Sequence, residues 1–267
     1  MLDLIPRLFV DVGDEAISCS PTFGAYNSRT NLCGGNMVDV PRDSNFAIDV
    51  KGIKAAITGR TRLIFLCNPN NPTGNLTPQQ DLLEIAKTGV PVLVDEAYYE
   101  FTGETVAGFI GQYPNLIILR TFSKWAGMAG IRLAYCICTP ELTSCLLSVK
   151  LAFHVGTPTI IAARESLKDR PYLMGRVKDM LSETKRLSEA LASTGFFKPY
   201  PTSTNFIFVE VLKGDPARIA QELAIRGFLV RYEKKPAWEN GMRVSIGLPE
   251  QNDKFIKALK QIATLSG

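Results

Sequence analysis

Apolar and polar positions alternate along the first half of the chain in two registers. Short apolar runs, EAISCS, GGNMVDV, RLIFLCN, VPVLVDE, NLIILRT and LAYCIC, lie between stretches of helical period from Asp14 to Cys138. Several runs carry no polar residue, which predicts strands covered on both faces. Their alternation with helices predicts parallel βαβ units and an α/β layer. The opening MLDLIPRLFVD predicts a helix with Leu2, Ile5, Leu8 and Phe9 on one face and Pro6 near its first turn. From about Pro140 the pattern changes. Helices are expected over 142–151 and 171–194. NFIFVEV, a helix around 217–226, FLVRYE, MRVSIG and a final helix over 250–264 follow. That second pattern predicts a smaller α+β domain with an antiparallel sheet. The division is expected at 1–155 for the large domain and 156–267 for the long connecting helix and small C-terminal domain.

The chain has 267 residues, of which 46% are hydrophobic and 21% charged. That balance excludes a disordered or fibrous chain. Thirty basic against 26 acidic residues leave a net charge of +4. With no run of about five like charges, neither a nucleic-acid nor a membrane partner is expected. No apolar stretch reaches the roughly 18 residues of a transmembrane helix. The six cysteines show no CxxC spacing and the single histidine is His154. A zinc site is therefore not expected, and buried reduced thiols fit better. With no visible signal peptide, the chain is expected in the cytoplasm, organellar targeting being left open.

Four polar, Gly/Pro-rich segments follow the apolar runs: PTFGAY, NPNNPTGN, DEAYYEFTGE and SKWAGMAG. Parallel sheets place ligands beyond the carboxyl ends of their strands, so these segments form an expected rim. In NPNNPTG, Pro69 and Pro72 stiffen the backbone and Gly74 permits a tight turn, leaving Asn71 projecting. Taken singly, the segment reads equally well as a plain loop. Asp95 ends the VLVD run, where a buried charge needs a partner. Such an acid also occurs in ATPases, but the chain lacks GxxxxGK[ST]. Lys124 follows a run among small residues, and Arg132 stands eight positions on. Singly, each has a bland reading as a solvated strand end or a surface cation. Together, Asn71, Asp95, Tyr98, Lys124 and Arg132 stand in order, each expected just beyond a strand. That set suits pyridoxal phosphate, which needs a lysine for its Schiff base and an acid beside its pyridine nitrogen.

On PTFGAY, NPNNPTG, DEAYYEF, LRTFSKWAGMAGIR, TSTNFIFVE and MRVSIGLPEQND, the sequence resembles the fold-type I pyridoxal-phosphate aminotransferases. Within them it is most similar to the histidinol-phosphate aminotransferase group. The resemblance implies a mostly parallel sheet in a large domain plus a small α+β C-terminal domain. It implies that Lys124 carries the cofactor, that Asp95 pairs with the pyridine nitrogen, and that Asn71 and Tyr98 bond the phenolic oxygen. Phe23 would stack on the ring, and Ser123, Arg132 and Thr121 would hold the phosphate. Asn205, Arg231 and Arg243 would face the substrate. The implied partners are small molecules, a phosphorylated amino alcohol and glutamate or 2-oxoglutarate, and a second copy in a homodimer. The lysine should be neutral, its pKa depressed by the cofactor and by Arg132.

Two features depart from the family pattern. Several dozen residues normally precede the point where this sequence starts, so the large domain is expected to be incomplete at its N-terminus. KLAFHVGTP replaces a segment that usually carries tyrosine and asparagine where Phe153 and His154 stand. Competing expectations are an aromatic amino-acid aminotransferase, a phosphothreonine-type decarboxylase and a non-catalytic remnant.

Overall fold

The computed structural model describes residues 1–234 and 238–265. Six strands, β1 Glu15–Ser18, β2 Asn36–Asp39, β3 Thr61–Cys67, β4 Val92–Asp95, β5 Leu116–Thr121 and β6 Ala134–Ile137, form one sheet in the order β2-β1-β3-β4-β5-β6. The first five are parallel and β6 is antiparallel to β5. The connection from β5 to β6 contains only one 3-10 turn, Ala129–Ile131. Without a crossover helix the chain returns antiparallel.

β1 and β4 are buried along their whole length, whereas β2 and β6 are only partly covered. The apolar run LAYCIC, expected to be covered on both faces, is thus an edge strand. Alternation along β3 sends Leu63, Phe65 and Cys67 to one face and Ile64 and Leu66 to the other. On the first face lie α1 Leu4–Phe9 and α2 Ala25–Leu32, through Ile5 and Tyr26. On the second lie α3 Val50–Ala55 and α4 Gln79–Ala86, through Ile53, Leu82 and Ile85. A short helix, α5 Tyr99–Thr102, follows β4.

The helix expected over 142–151 runs Pro140–Val149 (α6), because the Thr139 hydroxyl caps its start by accepting the Leu142 N–H at 3.4 Å. A further helix, α7 Thr157–Lys168, was not anticipated. Of its residues only Ala163 is buried, while Ile160, Ile161 and Leu167 are exposed, so it shows no single apolar stripe. The long helix is α8 Arg170–Ser193. A second, wholly antiparallel sheet combines β7 Phe197–Pro199, β8 Phe206–Val211, β9 Arg231–Tyr232 and β10 Gly241–Ser245 in the order β7-β8-β10-β9. Ile207, Val209 and Val244 pack under α8, α9 Pro216–Ile225 and α10 Pro249–Leu265 through Leu187, Leu223 and Leu259. The alternate residues Phe206 and Arg243 face the opposite way, toward the first sheet.

A buried ion pair braces the carboxyl end of β4. Glu96 is fully buried and accepts from Arg120 Nε at 2.9 Å, the Val106 N–H at 3.0 Å and the Thr105 hydroxyl at 2.8 Å. The Arg120 guanidinium lies 3.4 Å from the centroid of the Tyr99 ring. Glu96→Ala strands the arginine and should destabilise the fold by about 3–5 kcal/mol. Urea unfolding checks this, and a loss below about 1 kcal/mol would show that Arg120 finds water instead.

All six cysteines are free. Burial pushes the thiols of Cys19 and Cys67 up to about 11 and about 12. Cys33, Cys136 and Cys138 are only half-buried and Cys145 is exposed, so the expectation of buried thiols holds for two of them. Among the described residues no cluster of three metal-ligating side chains occurs. No described helix is long and apolar enough to cross a membrane.

Candidate active site

The carboxyl ends of β1 and β2 and the loops beyond β3 and β5 face a cavity of about 560 Å³, bounded on the small-sheet side by Arg231 of β9 and Arg243 of β10. Phe23, Asn71, Lys124, Arg231 and Arg243 line it, together with Ser20, Asp39 and Trp238. Arg132 stands just before β6, not just beyond a strand as expected. Because β6 runs backwards, its start still belongs to the same rim.

Local structure explains how the loop after β3 presents Asn71. The buried Asn70 side chain donates to Pro21 O at 2.9 Å and to Thr73 Oγ1 at 2.7 Å, and accepts from the Thr22 hydroxyl at 3.0 Å. This ties NPNNPTG to PTFGAY and leaves Asn71 on the cavity side. Gly74 has φ +80°, and a Cβ there would lie 2.1 Å from Thr202 Oγ1. Its carbonyl accepts the Ser203 N–H at 2.9 Å, so only glycine permits this close approach of the small-sheet loop.

Asp95 is the last residue of β4 and is buried. Its Oδ2 accepts the Tyr26 hydroxyl at 2.8 Å and its Oδ1 the Ala97 N–H at 3.1 Å. Burial pushes its pKa up to about 6, against the lowering effect of those two bonds and of Lys124. Tyr98 is buried and meets Phe206 edge-on at 5.3 Å, with Lys124 Nζ 5.6 Å from its ring centroid. Burial also raises the Tyr98 phenol, which stays protonated.

Lys124 has its pKa lowered, first by burial and then by Arg243, with Asp95 opposing and Arg132 adding a smaller push. The expected direction is present, but burial and Arg243 rather than Arg132 are its main causes. Arg243 donates from Nη1 to Asn71 Oδ1 at 2.6 Å, while its buried Nε has no hydrogen-bond partner. In register it pairs with Arg231, so both guanidinium groups leave the same face of the small sheet. Arg231 is engaged by Glu233 through Nε at 2.8 Å.

The remaining expected residues are less tightly gathered. Thr121 donates to Leu133 O at 3.0 Å and shares a 2.8 Å hydrogen bond with the Ser123 hydroxyl. Arg132 is exposed, sits at φ +58° and donates to Ala129 O at 2.8 Å. Asn205 is half-buried before β8, and like Asp95, Tyr98, Thr121, Ser123 and Arg132 it is not among the residues lining the cavity. Phe153, in the segment that departs from the family pattern, is 98% exposed. Sequence reasoning missed Tyr26, although a buried Asp95 needs a partner and Tyr26 stands one helical turn after Phe23. It also missed Asn70 as the lock between two motifs.

The cavity wall combines a lysine of depressed pKa with an orphaned guanidinium N–H, and the buried Asp95 lies behind it at the end of β4, a set of groups that fits pyridoxal phosphate and an anionic substrate. Residues 1–259 match the family of class I and II aminotransferases, and the chain belongs to it. Members depend on pyridoxal phosphate, and the chain is an aminotransferase of fold type I. It is 43% identical over 262 residues to a histidinol-phosphate aminotransferase of Dehalococcoides mccartyi, covering 98% of this chain and 73% of the relative. A Roseiflexus castenholzii protein of the same name is 37% identical, covering 98% of this chain and 72% of its own length. Among solved structures, the histidinol-phosphate aminotransferase of Sinorhizobium meliloti in complex with pyridoxal-5′-phosphate superposes with a TM-score of 0.91 at 26% identity, covering all of this chain and 74% of its own.

Proposed function

We propose that this chain moves the amino group of L-histidinol phosphate to 2-oxoglutarate, giving imidazole-acetol phosphate and glutamate in histidine biosynthesis. The observation that carries this is the orphaned Arg243 Nε, on a residue that shares the cavity wall with Lys124. The identity to the Dehalococcoides relative across nearly the whole chain supports the substrate.

Pyridoxal phosphate, when bound, supplies the electron sink. Asp95 would pair with its pyridine nitrogen, Asn71 and Tyr98 would bond its phenolic oxygen, and Phe23 would stack on its ring. Thr121, Ser123 and Arg132 would hold its phosphate, and the left-handed backbone of Arg132 fits a strained residue kept for function. Lys124 takes and returns the proton at the substrate carbon bearing the amine, which requires the neutral amine that burial and Arg243 favour. Arg243, Arg231 and Asn205 receive the substrate. Two guanidinium groups suit a site that must accept a phosphate in one half-reaction and carboxylates in the other.

Comparing kcat/KM for histidinol phosphate, aromatic amino acids and phosphothreonine tests the substrate. A preference for either of the last two would overturn it. The proposed boundary near residues 155 and 156 falls in the turn between α6 and α7. A homodimer is proposed because Leu151, Phe153, Ile160, Ile161 and Tyr172 leave a large apolar area exposed around that turn. Sedimentation of the wild-type chain and of Phe153→Asp checks this, and a wild-type monomer at micromolar concentration would exclude it.

A further inference from the structure

Asp95 is gripped from both sides, and only one grip comes from its own backbone neighbourhood. Ala97 N–H holds Oδ1, and the hydroxyl of Tyr26, from α2 on the far side of β3, holds Oδ2. Tyr26 is itself fixed. Its ring lies 4.8 Å from that of Phe65 at an interplanar angle of 15°, and Phe23 meets it edge-on at 5.7 Å. Burial, and then Asp95, raise the Tyr26 phenol well above its ordinary value, so it stays an O–H donor throughout the working pH range.

We propose that Tyr26 is a positioning residue for transamination: its hydroxyl clamps Asp95 Oδ2, keeping that carboxylate ionised and turned toward the pyridine nitrogen of pyridoxal phosphate. This rests on the reading of Asp95 given above. The bland alternative is that Tyr26 only packs α2 onto the sheet and its hydroxyl takes the nearest acceptor.

The surroundings favour the clamp. Cys67 from β3, Glu96 beyond β4 and Lys124 beyond β5 act on Asp95, and Arg42 lies near Tyr26 and Cys67. The Cys67 thiol, pushed up to about 12, is neutral, and Glu96 is engaged by Arg120. Arg42 spends its donors on the carbonyls of Cys19 and Phe46, at 3.2 and 2.9 Å. The Tyr26 hydroxyl is thus the one side-chain donor hydrogen-bonded to Asp95 among the described residues. Losing a hydrogen bond to a charged group shifts the balance toward the protonated acid by about ten- to a hundredfold. With its pKa already near 6, Asp95 would then be mostly neutral at pH 7 and a poor partner for a pyridinium.

The test compares the full chain and Tyr26→Phe for binding of pyridoxal phosphate and of an analogue in which C–H replaces the ring nitrogen. Tyr26→Phe should weaken the natural cofactor by about tenfold and leave the analogue within about twofold. The ¹⁵N resonance of ring-labelled cofactor should move from the pyridinium toward the neutral pyridine position. Equal weakening of both ligands, or an unmoved resonance, would overturn the proposal. Adding Tyr26→Phe to Asp95→Asn should cost nothing further in that discrimination, and an additional loss would also count against it. Should Tyr26→Phe not fold, 3-fluorotyrosine at position 26 strengthens the donor while keeping the packing. It should move the ¹³C titration of the Asp95 carboxyl in the cofactor-free protein to lower pH, and no movement would overturn the clamp. A wild-type chain that binds both ligands equally would instead remove Asp95 from the pyridine nitrogen, a separate failure.

Discussion

Lys124→Ala is expected to reduce transamination by on the order of 10⁴-fold or more, because it removes both the covalent anchor and the proton carrier. The lysine lies beyond β5 at the cavity wall, its ammonium form disfavoured by burial and by Arg243. A surface lysine would have neither property. Borohydride reduction of the cofactor-loaded wild type should fix the cofactor to the peptide containing Lys124, read by mass spectrometry. The yellow absorption of the bound cofactor should vanish in Lys124→Ala. A variant that still fixes cofactor covalently would move the assignment to another lysine.

Asp95→Asn should have opposite effects on activity and stability. Turnover should fall by orders of magnitude, since an amide cannot hold a proton on the pyridine nitrogen and the neutral ring withdraws electrons poorly. Without cofactor, the same variant should be more stable than wild type at pH 7. The folded-state pKa of about 6 lies above the ordinary 3.8, so the folded state binds more protons across that interval. Stability contributed by this group is then lost as pH rises from about 4 to 6, leaving a deficit on the order of 1–3 kcal/mol at neutral pH. Asparagine carries no charge to desolvate, and its carbonyl and amide can still meet Ala97 N–H and the Tyr26 oxygen. Denaturation of the cofactor-free proteins at pH 4 and pH 7 checks this: the advantage should disappear at the lower pH. Wild-type turnover in the variant would reduce Asp95 to a strand end, and equal stability at both pH values would mean water reaches its carboxylate.

Much of the site was legible in the sequence because its chemistry sits at element ends. Strand ends are marked by abrupt changes from apolar to polar residues, and VLVDE and IILRTFSK show the change plainly. Residue order alone therefore puts Asp95 and Lys124 on one rim. That Arg231 and Arg243 lie on strands of the small domain is legible too, while their register opposite one another is not. What stayed hidden depends on pairing across the fold. The role of Tyr26 requires knowing that α2 packs over β3 and reaches β4. α7 escapes notice because its apolar residues point outward, so its periodicity carries no core signal. The edge position of β6 is equally invisible, since an apolar run looks the same in the middle of a sheet and at its margin.

The 2.6 Å contact between Arg243 and Asn71 joins residues 172 positions apart. Sites spanning so much chain cannot exist in a half-made molecule. Each sheet can gather its own strands and helices early, from nearer neighbours, but the cavity wall closes only when the last strand of the small sheet reaches the loop after β3. During synthesis, the ribosome must release most of the polypeptide before β10 emerges. Refolding should therefore recover circular dichroism before it recovers the ability to capture pyridoxal phosphate, and the lag between the two signals times the meeting of the halves.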